Sequence, residues 1–149
     1  MSAGAIEVEN KKMRKELLVI DDTNLHQSIV SRIATQAGFV TTGANSVGDA
    51  ARLLRGRSFD CITLDLSLGE ESGVEILQLL AELRCRTPVI VISGSENSVR
   101  DETVRIGNFL NLNLCPPIPK PIDLAALRNT LARIADETRR QKLATPAGW

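Results

Sequence analysis

LLVIDDTN, residues 17–24, runs four apolar residues straight into two adjacent aspartates, Asp21 and Asp22. A short unbroken apolar run suits a strand buried on both faces, the pattern of a parallel sheet covered by helices. Residues 17–21 are therefore read as a strand, and its end carries two negative charges with no neutralising partner in the residues that follow. The design recurs downstream. FDCITLD, residues 59–65, closes on Asp65, and VIVIS, residues 89–93, follows Pro88 and closes on Ser93.

Between these runs the period lengthens. Leu25, Ile29, Ile33 and Ala37 recur every four residues and predict a helix, which Gly38 ends as a left-handed cap. Residues 39–42 form a second short strand. Ser46 with Asp49 three positions later opens a helix running through Leu54 to Gly56. Residues 72–84 predict a third helix with Val74, Leu77, Leu80 and Ala81 inward, and the polar stretch 96–108 a fourth with Val99, Val104 and Ile106 in contact. Residues 112–118 read as a short edge strand, because Pro116, Pro117 and Pro119 lack the donors a central strand needs. Asp123 caps a last helix whose Leu124, Leu127, Leu131 and Ile134 form one stripe. Five strands alternating with five helices predict an α/β fold, a doubly wound parallel sheet with right-handed crossovers.

Composition narrows the function classes. A chain of 149 residues suits one domain, and 18 basic against 18 acidic residues leave no global field to attract nucleic acid or an anionic membrane. No segment reaches the roughly 18 uninterrupted apolar residues of a membrane span, and residues 1–16 lack the apolar centre of a secretory signal. A cytoplasmic protein is expected. Cys61, Cys85 and Cys115 are too widely spaced for a zinc site or a disulfide framework and read as reduced packing residues. His26, the single histidine, is expected to be solvated, since neither a second ligand nor a base accompanies it in sequence.

In parallel sheets ligands bind beyond the carboxyl ends of the strands. Asp21, Asp22, Asp65 and Ser93 end strands there, and Lys120 follows the fifth. Three carboxylates at one edge repel each other, and a hard divalent cation such as Mg2+ offsets that repulsion. A lysine and a hydroxyl beside them offer a positive charge and a donor to phosphoryl oxygens. The set describes phosphoryl transfer to or from an aspartate. Singly, an aspartate here could cap a helix, Ser93 could sit in a turn and Lys120 could be a solvated charge; their joint placement argues otherwise. Glu70 and Glu71 are read as a solvated loop.

With these residues in place, the chain resembles the receiver domain of bacterial two-component response regulators over residues 16–136. The resemblance rests on the acidic pair Asp21-Asp22, on Asp65 with Gly73 eight positions later, on Ser93, and on Lys120-Pro121. It implies a flavodoxin-like sheet of strand order 2-1-3-4-5. It also implies Asp65 as phosphoacceptor, with Ser93 and Lys120 contacting the phosphoryl group. Mg2+ would be held by Asp22, by Asp21 through water, by Asp65 and by the Ser67 carbonyl, and the Lys120–Pro121 bond would be cis. The implied activity is a switch phosphorylated by a histidine kinase or phosphotransfer protein. It is not an enzyme with an external substrate, and catalyses only its own phosphorylation and slow dephosphorylation.

Three departures stand out. Pro117 occupies a position commonly aromatic in receivers, Gly69 replaces a frequent proline, and the interval from Ser93 to Lys120 is longer than usual. The expected partner surface is therefore residues 94–115 with the last helix. Residues 1–15 are expected to be a flexible lead segment and 137–149 a helix end and polar tail. Such a chain would act alone by protein contact or be the receiver piece of a longer regulator; the longer interval resembles receivers fused to cyclic-dinucleotide phosphodiesterases. A phosphatase of the haloacid dehalogenase type also uses a strand-end aspartate, but Ser67 stands where that family has its second acid. A degenerate receiver used only for binding is opposed by the presence of Asp22, Asp65, Ser93 and Lys120.

Overall fold

A computed structural model describes residues 14–68, 71–94 and 104–144. The elements are β1 (Lys15–Ile20), α1 (Asn24–Gln36), β2 (Phe39–Ala44), α2 (Val47–Gly56), β3 (Cys61–Asp65), α3 (Val74–Glu82), β4 (Val89–Ser93), α4 (104–109), β5 (Ile118–Pro119) and α5 (Leu124–Ala144). The five strands form one sheet in the order β2-β1-β3-β4-β5, and every pair is parallel. The sequence expectation of a doubly wound sheet holds, and so does the edge position of β5. That strand is only two residues long, preceded by an isolated bridge between Val89 and Leu114.

Alternation along each strand divides the core. Leu17, Val19, Cys61, Ile90, Ile92 and Ile118 pack against Val30, Ile33 and Ala34 of α1 and Leu127, Leu131 and Ile134 of α5. Leu18, Ile20, Ile62, Leu64, Val89 and Val91 face Ala50 of α2 and Ile76, Leu77 and Leu80 of α3. Burying each such Leu, Ile or Val contributes about 1.5–3 kcal/mol, so the unbroken apolar runs of β1, β3 and β4 supply both halves of the core. Burial pushes the Cys61 thiol well above its ordinary value, with the nearby Cys115 adding to the effect, and burial raises the Cys115 thiol as well. Both remain protonated packing groups.

Several local expectations hold for the stated reason. Gly38 has a φ of 95°, Ser46 accepts a hydrogen bond from the Asp49 N–H at 3.1 Å, and Asp123 Oδ1 accepts from the Ala126 N–H at 3.0 Å. The Lys120–Pro121 bond is cis. Others change. Leu25 is 68% exposed and Leu124 46%, and the buried face of α1 is Val30, Ile33 and Ala34. Steps of four residues turn 400° in a 3.6-residue helix, so a ladder from Leu25 to Ala37 drifts about 40° per step away from the core-facing stripe. In α3 the buried residues are Ile76, Leu77, Leu79 and Leu80, while Val74 and Ala81 are only half-buried. Val99, assigned to the fourth helix, and Gly69 and Glu70 of the loop after β3 lie outside the described residues.

α5 continues beyond residue 136 to Ala144 and keeps Thr138 buried. Its Lys142 reaches the amino end of the sheet, donating to Asp60 Oδ2 at 3.1 Å and to the Arg14 carbonyl.

Candidate functional site

The register brings the strand ends together. Ile20 of β1 lies beside Leu64 of β3, so Asp21 follows next to Asp65; Asp65 pairs with Ile92, and Ser93 with Pro119, so Lys120 follows next to Ser93. The Lys120 N–H donates to the Ser93 carbonyl at 3.1 Å. Asp21 and Asp65 are each 3% exposed and Ser93 2%.

Lys120 Nζ donates to Asp65 Oδ2 at 2.9 Å, with the lysine side chain 20% exposed. Asp21 Oδ1 accepts from the Thr23 N–H at 2.9 Å and the Thr23 hydroxyl at 2.8 Å, an Asx-type turn into α1. That leaves Oδ2 to face the site. Gln27 Nε2 donates to the carbonyls of Asp21 at 2.7 Å and Ala44 at 3.2 Å, tying α1 to the ends of β1 and β2. Behind Asp65, the chain turns through Leu66, whose N–H donates to the Ile92 carbonyl at 3.2 Å. It then forms a small antiparallel hairpin, Ser67–Leu68 with Glu71–Ser72, which the sequence reading did not foresee. A Cβ at Gly73 would lie 3.1 Å from Leu66 Cα and 3.2 Å from the Asp65 carbonyl oxygen, so glycine lets α3 begin close against the loop that carries Asp65.

Of the expected metal ligands, the structure joins Asp21 and Asp65 and leaves Asp22 exposed on the rim. The Ser67 backbone lies two residues beyond Asp65 at the start of the hairpin. The unforeseen member is His26, expected to be solvated. Its side chain is 31% exposed, and Nδ1 lies 3.6 Å from Asp21 Oδ2. Asp21, His26 and Asp65 each offer a ligand atom within 4.8 Å of the others. The signal for His26 lies in the three-residue link from β1 to α1: so short a turn folds the first helical turn back over the strand end.

Two carboxylate oxygens within 4.8 Å repel by roughly 3 kcal/mol at an effective dielectric of about 20. Lys120 offsets only part of that charge. His26 Nδ1 is itself buried and has no hydrogen-bond partner among the described residues. Converging anionic oxygens with a buried, unpartnered nitrogen fit a small divalent cation.

Among the described residues no helix is long and apolar enough to cross a membrane. Residues 17–132 match the family described as Response regulator receiver domain. The chain is 32% identical over 127 residues to Regulatory protein VirG of Agrobacterium tumefaciens, covering 85% of this chain and 44% of that protein. It thus spans less than half the length of that curated relative. Its fold is similar to a CheY-like response regulator receiver domain protein from Methanospirillum hungatei, with TM-score 0.72, 20% identity, and coverage of 86% of this chain and 98% of the other. It is also similar to a response regulator protein from Burkholderia pseudomallei described as carrying a phosphorylated aspartic acid, a calcium ion and citrate. There the TM-score is 0.67 at 24% identity, covering 89% and 75% of the two chains. With its sheet order, its strand-end carboxylates and a match over 17–132, the chain belongs to the response regulator receiver domain family.

Proposed function

We propose that Asp65 accepts a phosphoryl group from a phosphohistidine of a histidine kinase or phosphotransfer protein. The observation that carries this reading is the 2.9 Å contact of Lys120 Nζ with Asp65 Oδ2 at the end of β3, beside a second buried carboxylate, Asp21, just after β1. An Asp65 carboxylate oxygen attacks phosphorus, a P–O bond forms as the donor's P–N bond breaks, and the imidazole leaves with its electron pair. Lys120 holds Asp65 in place and offsets the charge that gathers on the phosphoryl oxygens, and the Ser93 hydroxyl donates to one of them. Asp21, Asp22, Asp65 and the Ser67 carbonyl would hold Mg2+, directly or through water. When bound, the ion would supply charge neutralisation for the buried carboxylates and the incoming phosphate.

The receiver unit is residues 16–136, in a cytoplasmic protein, and its output leaves through residues 94–115 and α5. Phe109, 85% exposed at the end of α4, supports that surface; residues 95–103 lie outside the described residues. A second reading, a receiver joined to a separate output domain, is favoured by the greater length of the relatives.

The test is intact mass after incubation with acetyl phosphate and Mg2+. One added phosphoryl group is expected, lost with chelator and in Asp22→Ala. Full labelling of Asp65→Asn would refute the assignment.

A further inference from the structure

We propose that His26 is a nitrogen ligand of the cation pocket, so that Asp21, His26 and Asp65 together select a first-row divalent transition ion over Mg2+. The proposal rests on the cation pocket described above and adds the identity of its third donor.

The 3.6 Å between His26 Nδ1 and Asp21 Oδ2 exceeds hydrogen-bond range, so the contact is not a simple imidazole–carboxylate bond. A cation about 2.1 Å from each donor needs donors roughly 3–4 Å apart. The observed 3.6 Å between His26 Nδ1 and Asp21 Oδ2 falls in that range, and the three groups lie within 4.8 Å of one another, so a small inward shift of the side chains would close them on one ion. Nδ1 is buried with no hydrogen-bond partner among the described residues, which is unfavourable unless something else meets it. Asp21 presents Oδ2 to the same point because Thr23 occupies Oδ1. Oxygen-only sites suit Mg2+, whereas imidazole nitrogen suits transition ions. The third residue of α1 therefore sets the metal preference of the site.

The sequence makes the experiment clean, because His26 is the only histidine in the chain. The full chain, purified without a histidine tag, is loaded with Mn2+ and examined by electron spin-echo envelope modulation. Nitrogen modulation of the bound ion is expected in the wild type and should vanish in His26→Gln. By calorimetry, His26→Gln should weaken Ni2+ binding about tenfold and Mg2+ binding far less. Bound Mn2+ without nitrogen modulation, together with unchanged Ni2+ affinity in His26→Gln, overturns the role of His26 and leaves the cation pocket standing. Mn2+ binding that survives both Asp21→Asn and Asp65→Asn, or no binding at all, overturns the pocket and this proposal together.

Discussion

Asp60 and Asp65 bracket the same strand, β3, and each meets a lysine, yet the two ends are built to opposite purposes. At the amino end, Asp60 Oδ2 accepts from the Glu16 N–H at 2.7 Å and from Lys142 Nζ at 3.1 Å, and the Asp60 N–H donates to the Glu16 carbonyl at 2.7 Å. One carboxylate faces one cation, both side chains about a quarter exposed at 23% and 24%. At the carboxyl end, Asp65 and Asp21 are both buried and only Asp65 meets Lys120, with a buried imidazole nitrogen beside them that has no hydrogen-bond partner among the described residues. The first arrangement is satisfied by the chain alone. The second gathers two buried acids near one lysine, a surplus of negative charge that a cation would offset, and that is the difference between a clasp and a candidate site.

The sharpest way to break this contrast is to remove each acid in turn. Asp65→Asn should lose all phosphorylation by acetyl phosphate, while Asp60→Asn should keep its rate within about twofold, since it lies at the far end of the strand. Comparable losses in both variants, read by intact mass, would erase the distinction.

Removing each lysine asks the same question of stability. Lys120→Met removes the cation from the buried Asp65 carboxylate and should lower unfolding free energy by about 2–3 kcal/mol in urea titrations. Lys142→Met leaves Asp60 bonded to the Glu16 N–H and nearer water, so its loss should be about 1 kcal/mol or less. The order of the two values matters more than their size.

Asp21→Asn should raise the stability of the metal-free protein by about 1 kcal/mol at low salt, because it relieves the repulsion from Asp65 while an amide oxygen can still accept from Thr23. Added Mg2+ should then stabilise the variant much less than the wild type in thermal melts.

The smallest effect concerns Thr63, two residues before Asp65 and 1% exposed, whose hydroxyl has no hydrogen-bond partner among the described residues. Thr63→Val should stabilise the fold by roughly 0.5–1 kcal/mol by removing an unsatisfied buried group.

β1, β3 and β4 were legible in the sequence because strands buried on both faces need continuous apolar runs, and the polar residues at their ends, Asp21, Asp65 and Ser93, stand out against that background. The caps at Ser46 and Asp123 were legible because a capping bond spans three residues and is written locally. Leu25 was misplaced because a four-residue ladder approximates the 3.6 period only over short distances. His26 was read as solvated because its neighbours, Asp21 and Asp65, are brought near it by the turn into α1 and by strand pairing, neither of which leaves a local pattern. The hairpin of Ser67–Leu68 with Glu71–Ser72 has two residues per strand, too few for alternation to register. A helix end beyond residue 136 was legible, but its extent to Ala144 was not, because its last turns are mostly polar, and the buried Thr138 and the paired Lys142 look like surface residues in sequence.

The central claim is that the carboxyl end of β3 takes the phosphoryl group, and borohydride trapping tests it most directly. An acyl phosphate is reduced by borohydride to an alcohol, which marks the modified aspartate permanently as homoserine. After treatment with acetyl phosphate and Mg2+, peptide sequencing by mass spectrometry should find homoserine at position 65 alone, and none when the ion is chelated. Homoserine at position 21, 22 or 60, or a label carried by His26 instead, would contradict the account.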